Sequence, residues 1–382
     1  MKKKSKTSAA IPRDKIAYLI NAIKDRGTEL REKKITAGFD GFIDTIVKVI
    51  KKKQAGKSPL LFTTIKEFGD YVIEKQGASL SLEIEERSSK IGGNMPIMAN
   101  ALGQLGVAVN CVGALGHPQL HPVFKNLSSN CHHYSFADPG TATAFEFNDG
   151  KIMMAQMAEL NSFGWDKIKE RIGIDTLISL KKQSDHFCIL KWIEIDASTD
   201  IWKGILKDVL PGYSLTGEKQ TDFFDLSDCS KRSTDSIKEA LQLLQEFAKH
   251  SKVVLSLNKN EAGILYKLLY GKNSKKDLPG IGKKIFEKAG IHTLVLHSAK
   301  EVAAFTNEEM VVVNTFFIPD PKISTGAGDN FNAGFCAAQL LKLDLESSVI
   351  FANAVSGYYV RTGTSAQVND TIDFLETIQK SN

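Results

Sequence analysis

The strongest limit on the fold is a regular alternation of short apolar runs and helical stretches through the C-terminal half. The apolar runs cover residues 187–192, 223–226, 253–257 and 293–297, and the helical stretches cover residues 236–249, 280–289, 329–341 and 345–359. Parallel strands need long crossover connections, so this alternation predicts a mostly parallel sheet with helices on both faces. We predict a three-layer α/β/α domain.

The first 34 residues are expected to form a basic tail and one helix. Lysine occupies four of the first six positions, and terminal clusters of this kind are usually solvated. Behind them, with Asp14 as the predicted N-cap, apolar residues recur at helical spacing: Ile16, Leu19, Ile20 and Ile23. We expect one further domain over residues 35–382.

Residues 35–156 are predicted to add further strands and a small β-rich appendage. An apolar run at 35–39 predicts a strand whose end presents Asp40 and Asp44, and a helix and a strand are predicted at 95–105 and 107–112. Residues 45–90 are rich in lysine and glutamate and are expected to leave the main sheet. The Asn148-Asp149-Gly150 turn, between apolar runs at 142–147 and 151–154, predicts a β-hairpin.

Composition argues against several classes of protein. Of the 382 residues, 42% are hydrophobic and 24% are charged, which is typical of a globular chain. No apolar run approaches the ~18 residues of a membrane span, and no apolar segment follows the basic start as it would in a signal peptide. The net charge is only +5, and we expect neither nucleic acid nor membrane as a partner. The five cysteines are scattered without a CxxC pair, which predicts reduced thiols and a cytoplasmic location.

The strongest chemical signal is a loop of small residues that precedes an apolar helix. It runs from Ser324 through Gly326-Ala327-Gly328 to Asp329. Glycines let the backbone approach an anion closely, and a helix N-terminus offers unpaired amides to it. An adjacent carboxylate can take the proton of an attacking hydroxyl. A tight turn with Asp329 as a helix cap would explain the same residues equally well.

Several motifs in order resemble those of one family. Thr325-Gly326-Ala327-Gly328-Asp329 resembles the C-terminal signature of the PfkB (ribokinase-like) carbohydrate kinases, and Gly92-Gly93-Asn94 is similar to their N-terminal signature. Further similarities are Asp44 after the first strand, Asp225-Leu226-Ser227 with Arg232, Asn258-x-x-Glu261, and Phe351-Ala352-Asn353-Ala354. The resemblance spans residues 35–375 and implies a ribokinase-like fold with a small β lid, drawn from parts of 45–90 and 140–156.

The resemblance also implies a role for each matching residue. Asp329 would be the general base that deprotonates a hydroxyl of a sugar or sugar derivative, while the amides of Gly326, Ala327 and Gly328 would form the anion hole. The substrate would contact Asp44, Gly92, Gly93 and Asn94, and Asp40 is a further candidate that a turn-capping role explains equally well. ATP would contact Asn258, Glu261, His297, Thr325 and Asn353. Mg²⁺ would lie near Glu261 and Asn258, held through water.

Two positions depart from the family pattern. Ile323 stands where relatives carry an aspartate that helps to hold a monovalent cation, so we expect no dependence on K⁺. His297-Ser298-Ala299-Lys300 replaces a loop that normally contains glycine, which leaves the nucleotide preference open. Many relatives dimerise through the lid, and a homodimer is therefore expected.

Two other functions are compatible with these residues. A nucleoside kinase of the same fold would use the same base and loop. A non-catalytic sugar-binding regulatory protein would keep the fold without turnover. His117 and His121 both precede prolines and are not expected to share a helix face, which argues against a zinc site at that histidine-rich stretch.

Overall fold

The structure is a computed structural model that describes residues 11–212 and 219–381. Its strands are β1 (Lys34–Phe39), β2 (Phe42–Gln54), β3 (Lys57–Leu61), β4 (Glu83–Gly92), β5 (Ala108–Gly113), β6 (Cys131–Ser135), β7 (Gly140–Phe147), β8 (Gly150–Gln156), β9 (His186–Ile189), β10 (Thr221–Asp225), β11 (Lys252–Asn258), β12 (Thr293–His297), β13 (Glu301–Phe305) and β14 (Met310–Asn314).

The helices are α1 (Arg13–Arg26), α2 (Ile65–Glu74), α3 (Asn94–Gln104), α4 (Ala158–Asn161), α5 (Trp165–Ile172), α6 (Ile174–Gln183), α7 (Ser198–Gly204), α8 (Thr234–His250), α9 (Lys259–Tyr270), α10 (Leu278–Ala289), α11 (Ala327–Leu340), α12 (Leu345–Thr362) and α13 (Val368–Ser381). The predicted C-terminal strands and helices are all present, with ends that differ by a few residues.

The main sheet has the order β14-β13-β12-β11-β10-β9-β1-β5-β6. Every pair from β6 to β12 is parallel, whereas β12, β13 and β14 form an antiparallel edge. Consecutive side chains of β11 lie on opposite faces of the sheet. Val254 packs in one hydrophobic cluster, whereas Val253 and Leu255 pack in the other. Helices therefore cover both faces, and the predicted three-layer α/β/α architecture is confirmed.

A second, smaller sheet lies where the small β lid is expected, and we call it the lid. Its order is β3-β2-β7-β8, and β4 also pairs with β2. Hairpin β7–β8 turns at Asn148-Asp149 as predicted, with Phe147 opposite Gly150. The apolar side of the lid packs Val49, Phe62 and Phe147 against residues of helix α2.

The N-terminal helix belongs to the same body as the sheet. Ile16, Leu19 and Ile20 are buried in the core cluster that also contains Ile35 of β1. The predicted N-cap at Asp14 is wrong, because Pro12 occupies the cap position and α1 has no side-chain cap, while Asp14 lies in the first turn. A carboxylate there still interacts favourably with the helix dipole. The lysines of the basic tail lie outside the described residues.

Candidate active site

The carboxyl ends of the central strands bring polar residues to one edge of the sheet. Asp40 follows β1, and Asp225, Asn258 and His297 are the last residues of β10, β11 and β12. In open parallel sheets this edge is where ligands bind. A cavity of about 230 Å³ lies there, lined by Asn94, Asp225, Ser227, Asn258, Glu261, His297, Gly328 and Asp329.

The predicted glycine loop begins helix α11 beside this cavity. Gly326 is the N-cap residue and has φ 87°, in the left-handed region that glycine adopts without strain. Ala327 is the first helical residue, two positions earlier than predicted, so Gly328 and Asp329 lie in the first turn. The amide of Ala327 donates to the carbonyl of Ser324 at 3.2 Å. First-turn amides lack intrahelical acceptors, so the start of α11 is suited to bind an anion.

Three side chains hold the carbonyl groups of this loop. The Tyr359 hydroxyl donates to the carbonyl of Thr325 at 2.8 Å, and the Ser356 hydroxyl donates to the carbonyl of Ala327 at 2.9 Å. The Asn330 side-chain amide donates to the carbonyl of Gly326 at 2.9 Å. These bonds fix the orientation of the loop's peptide planes and thereby pre-organise its amides.

The carboxylates around the cavity raise one another's pKa. Burial raises the pKa of Asp329 well above its ordinary 3.8, and the charges of Asp225, Asp40 and Glu261 add to the effect, while Lys191 opposes it. Burial and the charge of Asp225 raise the pKa of Glu261 to about 8. A carboxylate with a raised pKa is a better proton acceptor near neutral pH, as a general base requires.

Asp225 is held in place by its own hydrogen bonds. It accepts from the backbone amide of Ser227 at 2.9 Å and from the side-chain amide of Asn332 at 2.8 Å. Burial nevertheless raises its pKa to about 6. Two buried carboxylates, those of Asp225 and Glu261, thus face one cavity, and an arrangement of this kind favours a bound divalent cation.

Asn258 and Glu261 also have a structural role. The Asn258 side chain accepts from the amides of Asn260 and Glu261, and Glu261 accepts from the amide of Asn258 at 2.8 Å. The pair is therefore a capping box at the start of α9. Both residues still line the cavity, so helix capping places their oxygens there.

Asp44 lies within a strand of the lid and not in a loop after the first strand. Strand β2 begins at Phe42, which makes Asp44 its third residue, so the expectation of a carboxylate directly after β1 holds only for Asp40. Asp44 is buried beside β4, where a Cβ on Gly92 would lie 2.4 Å from Asp44 Oδ1. Only glycine permits this approach. Asp44 and Thr325 line a neighbouring cavity of about 540 Å³.

Asp40 supports the start of helix α3 from within the core. It is fully buried, and its two oxygens accept from the backbone amides of Met95 and Asn94, each at 2.8 Å. Gly93 is the N-cap residue of α3, and the Asn94 side chain donates to the Ser227 hydroxyl at 3.2 Å. Asp40 therefore caps the start of helix α3, whereas the role that the sequence suggested for it, besides substrate binding, was the capping of a local turn.

A larger cleft of about 460 Å³ adjoins the small cavity, and Asn258, His297 and Gly328 line both. Its lining also includes Phe316, Phe317 and Asn353. Apolar walls with a few polar groups suit a nucleotide base. Burial lowers the pKa of His297 to about 4, so this imidazole is neutral near pH 7.

The structure thus gathers most of the predicted site residues around three cavities. Sequence reasoning missed the residues that support the site through their side chains, among them Asn332, Ser356 and Tyr359. It also missed Lys191, whose ammonium lies 3.7 Å from Asp40 Oδ2. None of them was marked by a recognised motif, so no local signal could have identified them. Arg232 has a structural role, since it donates to carbonyls of Trp192, Ile193, Ile195 and Asp196.

Comparison with known proteins identifies the family of this chain. A family model for prokaryotic ketohexokinase matches residues 14–378. The chain belongs to this family. It is therefore a carbohydrate kinase that phosphorylates sugars with ATP, which confirms the predicted enzyme class and the resemblance to PfkB kinases. The alternative of a non-catalytic binding protein is not supported.

Among its relatives is a ketohexokinase of Haloferax volcanii, which is 27% identical over 333 residues, 87% of this chain and 88% of the relative. A ribokinase of Arabidopsis thaliana, complexed with ribose and ATP, is 15% identical with a TM-score of 0.62 over 90% of this chain and 98% of the ribokinase. A ribokinase II of E. coli, in complex with ATP and Mg²⁺, is 14% identical with a TM-score of 0.61 over 90% of this chain and 99% of that one. These two structures support the ribokinase-like fold.

Proposed function

We propose that this chain transfers the γ-phosphoryl group of ATP to a hydroxyl of a ketohexose, with Asp329 as the general base. The observation that carries the proposal is that Asp329 and Gly328 line one small cavity, which shares Gly328, His297 and Asn258 with the nucleotide-sized cleft. A hydroxyl in the small cavity would therefore face both a base and the end of the nucleotide cleft. The ketohexose follows from the family and from the Haloferax volcanii relative.

In the proposed reaction Asp329 accepts the proton of the sugar hydroxyl as its oxygen forms a bond to the γ-phosphorus. The bond from that phosphorus to the bridging oxygen of ADP breaks, and ADP leaves. The amides of Gly326 and Gly328, with that of Ala327 once it is released from Ser324, would bind the negative charge of the transferring group. Thr325 directly precedes these three residues in the loop. Asp44, Gly92, Gly93 and Asn94 would hold the other hydroxyls, with Asp40 fixing the start of α3.

The remaining predicted residues suit the nucleotide and its metal. His297 and Asn353 line the cleft that fits the base and ribose. Asn258 and Glu261, with Asp225 in the same cavity, present oxygen atoms of the kind that Mg²⁺ prefers, directly or through water. Bound there, Mg²⁺ would neutralise charge on the phosphate oxygens and lower the raised pKa of both carboxylates.

The test is ADP release with Mg·ATP across ketohexoses, aldohexoses, pentoses, sugar phosphates and nucleosides, with Asp329→Asn run beside the wild type. We expect turnover of a ketohexose and a loss of roughly 10³-fold or more in kcat for the variant. Preferential turnover of a nucleoside would transfer the proposal to the nucleoside kinases. An Asp329→Asn variant as active as the wild type would leave Asp329 with only a helix-terminal role.

We also propose that the chain forms a homodimer through its lid. Ile84 of β4 and Met153 and Met154 of β8 are between 44% and 55% exposed on this small sheet, and burying them against a second copy would be favourable. Light scattering should give twice the mass of one chain. Replacing both methionines with glutamate should give a monomer, and a monomeric wild type at micromolar concentration would contradict the proposal.

We propose a cytoplasmic location for this enzyme. All five cysteines are buried free thiols, as expected in a reducing compartment. Within residues 11–212 and 219–381, no helix is long and apolar enough to cross a membrane.

A further inference from the structure

Lys151 of strand β8 connects the lid to the loop that begins helix α11. Its ammonium donates to the Thr325 hydroxyl at 2.6 Å, across 174 positions of the chain. Thr325 directly precedes Gly326, the N-cap residue of α11, and we call residues 325–328 the phosphoryl loop. A cation of the lid therefore bonds the residue that precedes the amides proposed to bind the transferring group.

The pairing of the lid strands places Lys151 on the same face of the lid as Asp44. Asp44 of β2 lies opposite Ala142 of β7, and Lys151 lies opposite Glu146 of β7. Side chains four positions apart on one strand share a face, and so do the side chains of directly opposite residues. Asp44 also lines one cavity together with Thr325. This face of the lid is therefore the one that is directed to the proposed site.

The charge of Lys151 is placed differently from the charges of two other lid lysines. Lys53 pairs with Glu83 at 2.6 Å. Glu146, which lies opposite Lys151 in the hairpin, pairs with Lys48 of β2 at 3.2 Å. In the described part of the chain, the Lys151 ammonium bonds a neutral hydroxyl and no carboxylate. Because an ammonium has three donors, Lys151 can keep this bond and still donate to a ligand at the loop.

An ammonium beside the start of a helix has an electrostatic cost. The N-terminus of a helix carries a partial positive charge, and cations are favourable at the opposite end. Three carbonyls of the phosphoryl loop already accept from Tyr359, Ser356 and Asn330, and the amides of its helical turn are donors. Positive groups thus converge from the helix and from the lid, and an anion bound between them would offset their repulsion.

We propose that Lys151 is a catalytic residue whose ammonium donates to an oxygen of the γ-phosphoryl group of bound ATP. This inference rests on the proposed role of the phosphoryl loop. Lys151 stays protonated throughout, because the proton of the sugar hydroxyl goes to Asp329 and the electrons of the broken bond go to the bridging oxygen of ADP. Its charge stabilises the negative charge that is spread over the oxygens of the transferring group.

A Lys151 that only held the lid against the loop would act differently. The bond to Thr325 would then close the site around any ligand, and its loss would weaken the binding of ADP and ATP equally. A contact with the γ-phosphoryl group affects ATP and not ADP. The difference between the two nucleotides therefore separates the two roles.

The experiment compares the wild type with Lys151→Met, Lys151→Gln and Lys151→Arg. Lys53→Met is the matched control, because Lys53 is also an exposed lysine of the lid but pairs with Glu83. Titration calorimetry without sugar measures the binding of Mg·ADP and of the magnesium complex of the β,γ-imido analogue of ATP. ADP release from ATP with the ketohexose gives kcat and KM. Thermal unfolding shows which variants fold, and the glutamine variant serves if the methionine variant does not.

In Lys151→Met we expect the imido analogue to bind roughly tenfold more weakly and ADP to bind as in the wild type, since a charge-assisted hydrogen bond is lost. The kcat should fall roughly 10²-fold. Lys151→Arg keeps the charge and should restore most of both, and Lys53→Met should match the wild type.

An equal loss of affinity for both nucleotides, or a change confined to the KM of the sugar, would assign Lys151 to holding the lid and overturn the proposal. Wild-type affinity of a folded neutral variant for the imido analogue would overturn it as well. If no sugar turns over even in the wild type, the proposed function fails, but the two affinities still decide whether Lys151 reaches the γ-phosphoryl group.

Discussion

The replacement Gly326→Ala tests whether the start of helix α11 is a rigid, pre-organised loop. A left-handed conformation costs an L-residue about 1–2 kcal/mol, and Gly326 has φ 87°. The new Cβ would also lie 2.8 Å from the Tyr359 hydroxyl and 3.3 Å from a methyl carbon of Ile97, and crowding of this kind adds about 1–3 kcal/mol. We therefore expect the free energy of unfolding to fall by about 2–5 kcal/mol.

The assay is urea unfolding combined with ADP release. Gly263→Ala is the control, since Gly263 lies within α9 and a Cβ there meets nothing within 4 Å; it should raise stability by roughly 0.5–1 kcal/mol. In Gly326→Ala the new methyl group would clash with the Tyr359 hydroxyl, and Tyr359→Phe removes that hydroxyl. The double variant should therefore cost less than the sum of the two single changes. Because displaced amides no longer meet the transferring group, kcat of Gly326→Ala should fall by roughly 10²-fold.

A loss below about 0.5 kcal/mol for Gly326→Ala, comparable to an ordinary surface change, would refute this reasoning. The reasoning would also be refuted if the losses of unfolding free energy for Gly326→Ala and Tyr359→Phe added exactly in the double variant, because the crowding depends on the Tyr359 hydroxyl. Full activity in a destabilised Gly326→Ala protein would show that the loop tolerates a shift and that its amides are not positioned for catalysis.

Further predictions concern Glu261, Arg232 and Ile323. Burial and the charge of Asp225 raise the pKa of Glu261 from 4.5 to about 8, so the folded state retains a proton that the unfolded state releases. Without Mg²⁺, the free energy of unfolding should therefore fall as the pH rises from 6.5 to 8. Urea unfolding of Glu261→Gln should show a smaller dependence on pH, and an equal dependence in both proteins would contradict this prediction. Arg232→Lys should lower the free energy of unfolding by about 1–3 kcal/mol, because an ammonium cannot reach all the carbonyls that the guanidinium bonds, and an unchanged urea midpoint would argue against this role. Ile323 provides no carboxylate for a monovalent cation, so ADP-release rates should be equal in K⁺ and Na⁺ at constant ionic strength; strong activation by K⁺ would contradict this.

The parts of the fold that could be predicted depend on local signals. The main parallel strands show as apolar runs, the β7–β8 hairpin has an Asp149-Gly150 turn, and the loop at Gly326 needs glycine for its backbone. In contrast, β4 is mostly polar and charged, and most of its residues are exposed, so its sequence lacks the apolar alternation of a half-buried strand. The antiparallel edge formed by β13 and β14 was not predicted either.

The parts of the site that could not be predicted depend on contacts between distant segments. Tyr359 reaches a carbonyl 34 positions away, and Asn332 bonds Asp225 across 107 positions. Lys191 has no neighbouring motif, and only the folded chain places its ammonium beside Asp40 and the ring of Phe42. The prediction of Asp14 as the N-cap is wrong because it relied on residue type alone. The helix begins two residues earlier than predicted, at Arg13 after Pro12, and Asp14 lies in its first turn.

The lid strand β2 has a mechanical consequence for the order of events in catalysis. Only Asp40 and Gly41 separate β1 from β2, and Asp44 lies at the base of β2. A rotation of the lid about this short connection would therefore move Asp44, one of the residues proposed to bind the sugar, away from Asp329. Lys151, near the turn of the β7–β8 hairpin, donates to the Thr325 hydroxyl at 2.6 Å, so the rotation would also break a contact with the phosphoryl loop. Sugar release and lid opening would then be one movement, and the speed of that hinge would set an upper limit on turnover.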